Sequence, residues 1–103
     1  MDMVLIFKAL SNDTRLQILE WLKEPDANFG PQLFLPPDAD FKGGICVGSI
    51  QEKTGLSQSV ISSYLTMMKK AGLLESRRYG QWTYYRRNEE TLMFIANFIK
   101  NKI

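Results

Sequence analysis

The sequence contains no histidine and a single cysteine, Cys46, among its 103 residues. One cysteine excludes an internal disulfide and is usual for a protein of a reducing cytoplasm. Tight sites for soft metal ions need three or four thiolate or imidazole ligands, so this composition disfavours a metal site of that kind. We expect Cys46 to be a small buried residue, with a redox or thiol-reactive role as the alternative.

The sequence also lacks the marks of a catalytic site, a membrane segment and a secretion signal. The chain has no histidine that could act as the general base for a nucleophile, and it has no glycine-rich phosphate loop. An enzyme is therefore a weak hypothesis. No apolar run approaches the roughly 18–20 residues that a membrane span needs. Residues 1–8 lack the basic leader and small-residue cleavage site of a signal peptide. We therefore expect a cytoplasmic protein without a cofactor, folded as one domain over residues 1–103.

Positive charge is unevenly distributed along the chain, although the net charge is only +2. Residues 1–56 contain five Lys or Arg and eight Asp or Glu, whereas residues 57–88 contain six and one. Residues 89–103 are balanced. A basic block in one part of a compact domain is the electrostatic footprint of an anionic partner such as nucleic acid.

Residues 50–72 predict two short helices separated by a tight turn. Gly55 can adopt the left-handed conformation that ends the first helix, and Ser57 can cap the second. One face of the second helix is apolar and the other is polar, with no acidic residue from Ser57 to Gly72. A core helix with a Ser-rich surface would give this pattern. A helix-turn-helix also explains it, because small hydrogen-bonding side chains can reach base edges in the major groove.

A β-hairpin is predicted directly after the helix pair. Leu73–Tyr79 and Trp82–Arg87 have strand character and flank a Gly80-Gln81 turn. A hairpin in this position is a wing, whose arginines can hold phosphates or enter the minor groove; a solvated hairpin kept soluble by its charges is the alternative. The DNA-contacting residues predicted on the polar helix face and the hairpin are Ser57, Gln58, Ser59, Ser62, Ser63, Thr66, Lys69, Lys70, Arg77, Arg78, Tyr79, Gln81 and Arg86.

Residues 24–44, which we call the insertion, are the least regular part of the chain and contain all four prolines. The helix before it is expected to be capped by Ser11 or Asn12 and to end at Pro25. A loop of about twenty residues is uncommon in a small domain and is usually functional or mobile. The sequence leaves open whether the insertion closes a small-molecule pocket, strengthens a dimer or does neither. Its apolar residues should pack on the domain or on a neighbour, since a solvated linker would not carry them: Phe29, Leu33, Phe34, Leu35 and Phe41.

Both ends of the chain are strongly apolar. Asn88 is expected to cap a last helix that has hardly any polar face, and residues 4–7 have the same character. A monomer of this size offers little core to bury both segments, so we expect them to form a homodimer interface. The predicted interface residues are Val4, Leu5, Phe7, Leu92, Ile95, Phe98 and Ile99.

Residues 7–22, residues 50–72 and the hairpin, taken together, resemble ArsR/SmtB-type winged-helix repressors. The resemblance covers nearly the whole chain apart from the insertion. It implies a fold that is mainly α with a small β-hairpin wing, a winged helix-turn-helix of two helices, a loop, two helices, the wing and a last helix. It also implies a homodimeric DNA-binding regulator that reads a palindromic operator, with Tyr64 at the major groove where the family often has His.

The chain departs from the resemblance at the family's metal ligands. Metal-sensing members often carry Cys-Val-Cys-Asp where this chain has Cys46-Val47-Gly48-Ser49, so only the first thiol is present. Other members place His and Asp ligands on the last helix, and this chain has no histidine. A conventional metal-sensing site is therefore not expected, and the inducer is unknown.

Two functions follow from these observations. The first is a sequence-specific transcriptional regulator, a homodimeric repressor on double-stranded DNA. The alternative is a winged-helix protein-interaction module that docks through the aromatic residues of the wing and the insertion and does not bind DNA specifically.

Overall fold

The computed structural model describes all 103 residues, 1–103. The expected order of helices and hairpin is confirmed, and two short elements, α3 and β1, are added to it. The elements are α1 (Met3–Leu10), α2 (Asp13–Lys23), α3 (Pro25–Asn28), β1 (Ile45–Cys46), α4 (Val47–Thr54), α5 (Gln58–Lys70), β2 (Leu74–Tyr79), β3 (Trp82–Arg87) and α6 (Glu89–Lys102).

Short-range signals set the helix boundaries as predicted. Asn12, rather than Ser11, caps α2, and its side chain accepts a hydrogen bond from the backbone of the first turn. Gly55 ends α4 with a φ of 73°, a conformation that costs glycine little. The Ser57 hydroxyl accepts a hydrogen bond from the Val60 amide at 3.3 Å. The turn of the helix-turn-helix is therefore fixed by its own residues.

The sequence does not predict the two added elements because they are so short. Pro25 ends α2 as predicted but also opens α3, since the first turn of a helix does not need the amide that proline lacks. In β1, Cys46 pairs with Tyr84 of β3. Two residues are too few to show strand alternation, and only the β-branched residues Ile45 and Val47 hint at it.

The three strands form an antiparallel sheet in the order β1-β3-β2. A two-residue turn joins β2 to β3, with Gly80 at a φ of 61° and no positive φ at Gln81, as a type II′ hairpin turn requires. Tyr79 lies opposite Trp82, and the register runs without a bulge to the far end of the hairpin.

Strand alternation gives this sheet an inner and an outer face. The inner face contributes Ile45 and Leu74 to the main core, and Tyr85 packs against that core. The outer face, defined by the paired register, is Cys46, Glu75, Arg77, Tyr79, Trp82, Tyr84 and Arg86.

One core of fourteen buried residues joins α1, α2, α4, α5, the sheet and α6. Ile61, Leu65 and Met68, the predicted apolar stripe of α5, are fully buried in it. Because these residues point inward, the polar stripe of α5 is turned away from the core. None of the helices has the length and apolarity needed to cross a membrane.

Candidate nucleic-acid interface

Helix α5 presents its polar face to solvent. The face is uncharged at its start and cationic at its end, where Lys69 and Lys70 form no ion pair. A surface of this kind can make hydrogen bonds to bases and contacts to phosphates without first breaking internal contacts. The exposed residues predicted to contact DNA are Ser57, Gln58, Ser59, Ser62, Ser63, Thr66, Lys69 and Lys70.

A surface groove joins this face to the tip of the hairpin. Gln58 and Ser62 line the groove from α5, and Gln81 and Trp82 line it from the hairpin. The first residues of a recognition helix are those that contact base edges, and a wing tip can reach the neighbouring phosphates or minor groove. The fold therefore brings the two predicted DNA-contacting parts into one continuous surface.

The hairpin arginines differ in how far their side chains are engaged by the protein itself. Arg78 lies beside the tip, where its Nε donates to the Gly80 carbonyl at 2.9 Å, and no carboxylate pairs with it. Arg77 projects from the outer face, and its Nη1 donates to the Asp40 carbonyl of the insertion at 3.0 Å. Thr83, which pairs with Arg78 across the strands, lines the groove, so Arg78 is the hairpin arginine whose position in the register is beside the groove.

Two further hairpin residues of the predicted set are engaged by contacts within the protein. The Arg86 guanidinium pairs with Glu75 at 2.7 Å, so its charge is already compensated by a carboxylate. Tyr79 lies on the outer face, with its ring edge-on to Tyr84 at 6.0 Å between centroids. Arg86 also contacts the insertion, at the Lys42 carbonyl and the Phe41 ring.

Tyr64, also predicted to face the major groove, makes its contacts within the fold. Its half-buried ring packs against the core instead of facing the groove. Its hydroxyl accepts a hydrogen bond from Asn12 Nδ2 at 3.5 Å, and the Arg15 guanidinium carbon lies 5.0 Å from the ring centroid. Arg15 is itself buried, with Nε donating to the Ala9 carbonyl at 2.7 Å and Nη2 to the Lys8 carbonyl at 3.1 Å. Tyr64 therefore joins α5 to α2 and α1.

Cys46 is half-buried at the edge of the groove. The Ser49 hydroxyl donates a hydrogen bond to the Cys46 sulfur at 3.9 Å. No three His, Cys, Asp or Glu side chains converge in an arrangement that could hold a metal ion. Burial, and to a smaller degree the neighbouring Cys46 thiol, raises the pKa of Tyr84. A redox role for Cys46 stays a prediction.

Comparison with known proteins identifies the family. The model of the bacterial regulatory proteins of the arsR family matches residues 42–76, which contain β1, α4, α5 and the start of β2. The chain is 45% identical, over 103 residues and the full length of both proteins, to an uncharacterized HTH-type transcriptional regulator of Bacillus subtilis, YbzH. The chain belongs to the ArsR family.

Two further relatives agree with this assignment. The transcriptional repressor SdpR of B. subtilis is 31% identical over 98 residues, which span 95% of this chain and 89% of SdpR. The homodimeric winged helix-turn-helix DNA-binding domain of a possible ArsR-family regulator from Mycobacterium bovis is 27% identical. The two structures superpose with a TM-score of 0.63 over 98% of this chain and 83% of that domain. This ArsR-family protein is a DNA-binding transcriptional regulator and not an enzyme.

The terminal helices of this ArsR-family chain carry the predicted dimer residues. Phe7 of α1 and Phe98 of α6 pack together, with ring centroids 6.4 Å apart, and Val4 and Ile99 are exposed beside them. Ile95, also predicted at the interface, is only 7% exposed and belongs to the core of a single copy, so little of its side chain is free for a partner.

Further residues of the terminal helices differ in how far they are buried. Asn88 caps α6 as predicted, with its Oδ1 accepting a hydrogen bond from the Thr91 amide at 3.3 Å. Leu5 and Leu92 are half-buried against the core. The predicted interface omitted Met93 and Phe94, which are exposed large apolar side chains. The helical phase relative to Ile95 would have identified them, since residues that flank an inward-facing position lie on the outer side.

Proposed function

We propose that this ArsR-family regulator is a homodimeric repressor that binds a palindromic operator. The observation that carries the proposal is the continuous, acid-free surface formed by α5 and the hairpin tip. In this arrangement Gln58, Ser59 and Ser62 contact base edges in the major groove. Lys69, Lys70, Arg77 and Arg78 supply phosphate contacts, with Arg78 beside the groove and Arg77 held toward the insertion.

A dimer follows from the unpartnered apolar side chains of the terminal helices. Val4, Met93 and Ile99 are each at least 50% exposed in a single copy, and α1 and α6 present them together with Phe7 and Phe98. A two-fold dimer built on these helices would present two α5 helices to half-sites about one turn, roughly 34–36 Å, apart. The homodimeric state of the M. bovis relative and the repressor function of SdpR support the same assignment.

The proposed regulator does not use a conventional soft-metal sensing site. Each copy supplies one thiol and no imidazole, and tight soft-metal sites take three or four such ligands. The signal that releases the protein from DNA is thus expected to act through other groups.

Selection of bound fragments from a genomic library would test the proposal and recover the operator. We expect a palindromic sequence bound by a dimer, with an affinity that falls linearly with salt on a double logarithmic scale. Scrambling one half-site should abolish most of the specific affinity, and sedimentation of the free protein should give the mass of two chains. A folded protein that shifts no genomic fragment, or whose affinity does not depend on salt, would overturn the proposal.

A protein-interaction module remains the second candidate because of one observation. Leu33 and Phe34 of the insertion are 83% and 63% exposed, and such adjacent apolar side chains are typical of docking surfaces. Under this alternative Leu33→Ala would abolish partner capture, and Gln58→Ala would have no effect on any DNA measurement.

A further inference from the structure

The insertion covers the outer face of the sheet. Tyr84, at the centre of that face, is only 1% exposed, and Phe41 of the insertion is equally buried. An antiparallel sheet commonly leaves one face to solvent, but here both faces are packed. The insertion is therefore packed against the hairpin and does not pass over it as a solvated loop.

Phe41 lies between two arginines of the hairpin. The guanidinium carbons of Arg86 and Arg77 lie 4.2 Å and 5.4 Å from the centroid of its ring. Each arginine also donates a hydrogen bond to a carbonyl next to Phe41 in sequence, Arg77 to Asp40 at 3.0 Å and Arg86 to Lys42 at 3.3 Å. The ring and the two flanking carbonyls together hold one arginine from each strand.

The turn that follows Phe41 keeps the ring in this position. The Gly44 amide donates to the Phe41 carbonyl at 3.1 Å. A Cβ added at Gly44 would lie 2.5 Å from Cδ2 of the Phe41 ring, so a larger residue there would displace the ring. Gly43 adopts a φ of +81°, which other residues reach only with strain. The geometry of the turn thus depends on both glycines.

A second contact of the insertion reaches the tip of the hairpin. The Phe34 ring stacks on Trp82 with centroids 4.8 Å apart and an interplanar angle of 11°. Trp82 is the first residue of β3 and lines the groove together with Gln58 and Gln81. The insertion consequently contacts the hairpin both at its middle and beside the tip.

We propose that Phe41 is a positioning residue for DNA binding, which orders the hairpin so that Arg78 and Gln81 meet the DNA. A two-stranded hairpin is marginally stable by itself, and β1 pairs with β3 over only two residues. Phe41 adds contacts to both long strands without touching DNA. This inference rests on the proposed function, because it assigns to the insertion the task of holding the wing in its binding geometry.

A double-mutant cycle in operator affinity separates positioning from general stability. Phe41→Leu keeps an apolar side chain but loses the aromatic face, and should weaken operator binding by about tenfold. In the Arg78→Ala background, where one of the two tip contacts is already missing, Phe41→Leu should weaken binding clearly less, by about threefold. In the Ser62→Ala background, which alters α5 instead, the full tenfold loss should remain. Gly44→Ala, which displaces the same ring, should reproduce the pattern.

A second measurement does not depend on DNA. Hydrogen exchange of the backbone amides of residues 74–87 should become faster in Phe41→Leu than in the unmodified protein, while exchange in α5 stays unchanged. Leu33→Ala serves as the control, since Leu33 lies on the same insertion but is exposed.

Several results would overturn the positioning role. Equal losses in the Arg78→Ala and Ser62→Ala backgrounds would mean that Phe41 acts only through the folded fraction. Unchanged exchange in residues 74–87 would mean that it does not order the hairpin. A wild-type protein that binds no DNA, but whose hairpin exchange responds to Phe41→Leu, would refute the proposed function and leave the ordering of the hairpin intact.

Discussion

Helix α5 and the hairpin both carry clustered positive charge, but the two clusters differ in how much of that charge is free. Lys69 and Lys70 of α5 are exposed and unpaired. In the hairpin, Arg86 and Arg87 each pair with a glutamate, and Arg77 donates to the insertion. Of the cations between residues 57 and 88, fewer are available to an anionic partner than their number suggests. Two of the four hairpin arginines, Arg77 and Arg86, bind the insertion.

The largest expected effect is a loss of stability when the packing on the outer face of the hairpin is removed. Phe41→Ala should lower the free energy of unfolding by about 3–5 kcal/mol, because a fully buried aromatic ring is replaced by a cavity. Urea unfolding measures this loss. Leu33→Ala, in the exposed part of the insertion, should change stability by no more than about 0.5 kcal/mol. Equal small losses in both variants would show that the insertion is only loosely attached.

The next effect tests α5 as the part that reads sequence. Gln58→Ala should reduce discrimination at one operator base pair by about 1–3 kcal/mol, since one side chain that contacts a base edge is removed. Competition binding with single-base operator variants measures the change. Gln17→Ala, an exposed glutamine on α2, is the matched control and should leave base preference unaltered. Loss of affinity that is uniform over all variants would assign Gln58 to the phosphates instead.

A smaller effect compares a free and a paired arginine within the hairpin. Arg78→Ala should reduce the slope of log affinity against log salt by about 0.9, the value for one lost phosphate contact. Arg86→Ala should leave the slope unchanged, because Glu75 already neutralises that charge. Titration of the operator at four or five salt concentrations provides both slopes. Equal reductions would place Arg86 on the DNA and would contradict the difference between the two arginines.

The smallest effect is a pH dependence that involves both faces of β3. Burial raises the pKa of Tyr84 on the outer face and of Tyr85 on the inner face above the ordinary value of 10.0. The unfolded chain therefore loses these protons first, so the contribution of the two tyrosines to stability should be constant well below pH 10 and fall as the pH rises through and above 10. Tyr84→Phe should make this fall shallower in thermal unfolding measured between pH 8 and about 11. A fall of unchanged steepness would assign it to Tyr85 and not to Tyr84.

Local sequence was sufficient for the helix-turn-helix and the hairpin turn. Gly55, Ser57 and Asn88 act on their own helix ends, and Gly80 sets its own turn, so no distant residue is needed to predict them. The turn also fixes the register of the strands. Counting back from Tyr79 and forward from Trp82 pairs Glu75 with Arg86, as observed, and this count would have predicted their ion pair.

The position of the insertion could not be predicted from the sequence in the same way. Phe41 meets Arg77 and Arg86 across 36 to 45 residues of chain, and no periodic pattern in the insertion marks which apolar residue is buried. Leu33 and Phe41 are comparably apolar, yet one is 83% exposed and the other 1%. The same reason explains Tyr64, whose partners Asn12 and Arg15 belong to a different helix. Contacts between distant segments decide these positions.

Arg15 has a consequence for the length of the operator. Its side chain binds the last carbonyls of α1 and lies against Tyr64 of α5, so α1 and α5 are joined without a flexible connection. In the proposed dimer α1 also belongs to the interface, which would fix the separation of the two α5 helices. Such a dimer would bind two half-sites only at one spacing. One inserted base pair between the half-sites would displace the second half-site by about 3.4 Å and about one-tenth of a turn. The fixed separation of the two α5 helices would then no longer match the half-sites.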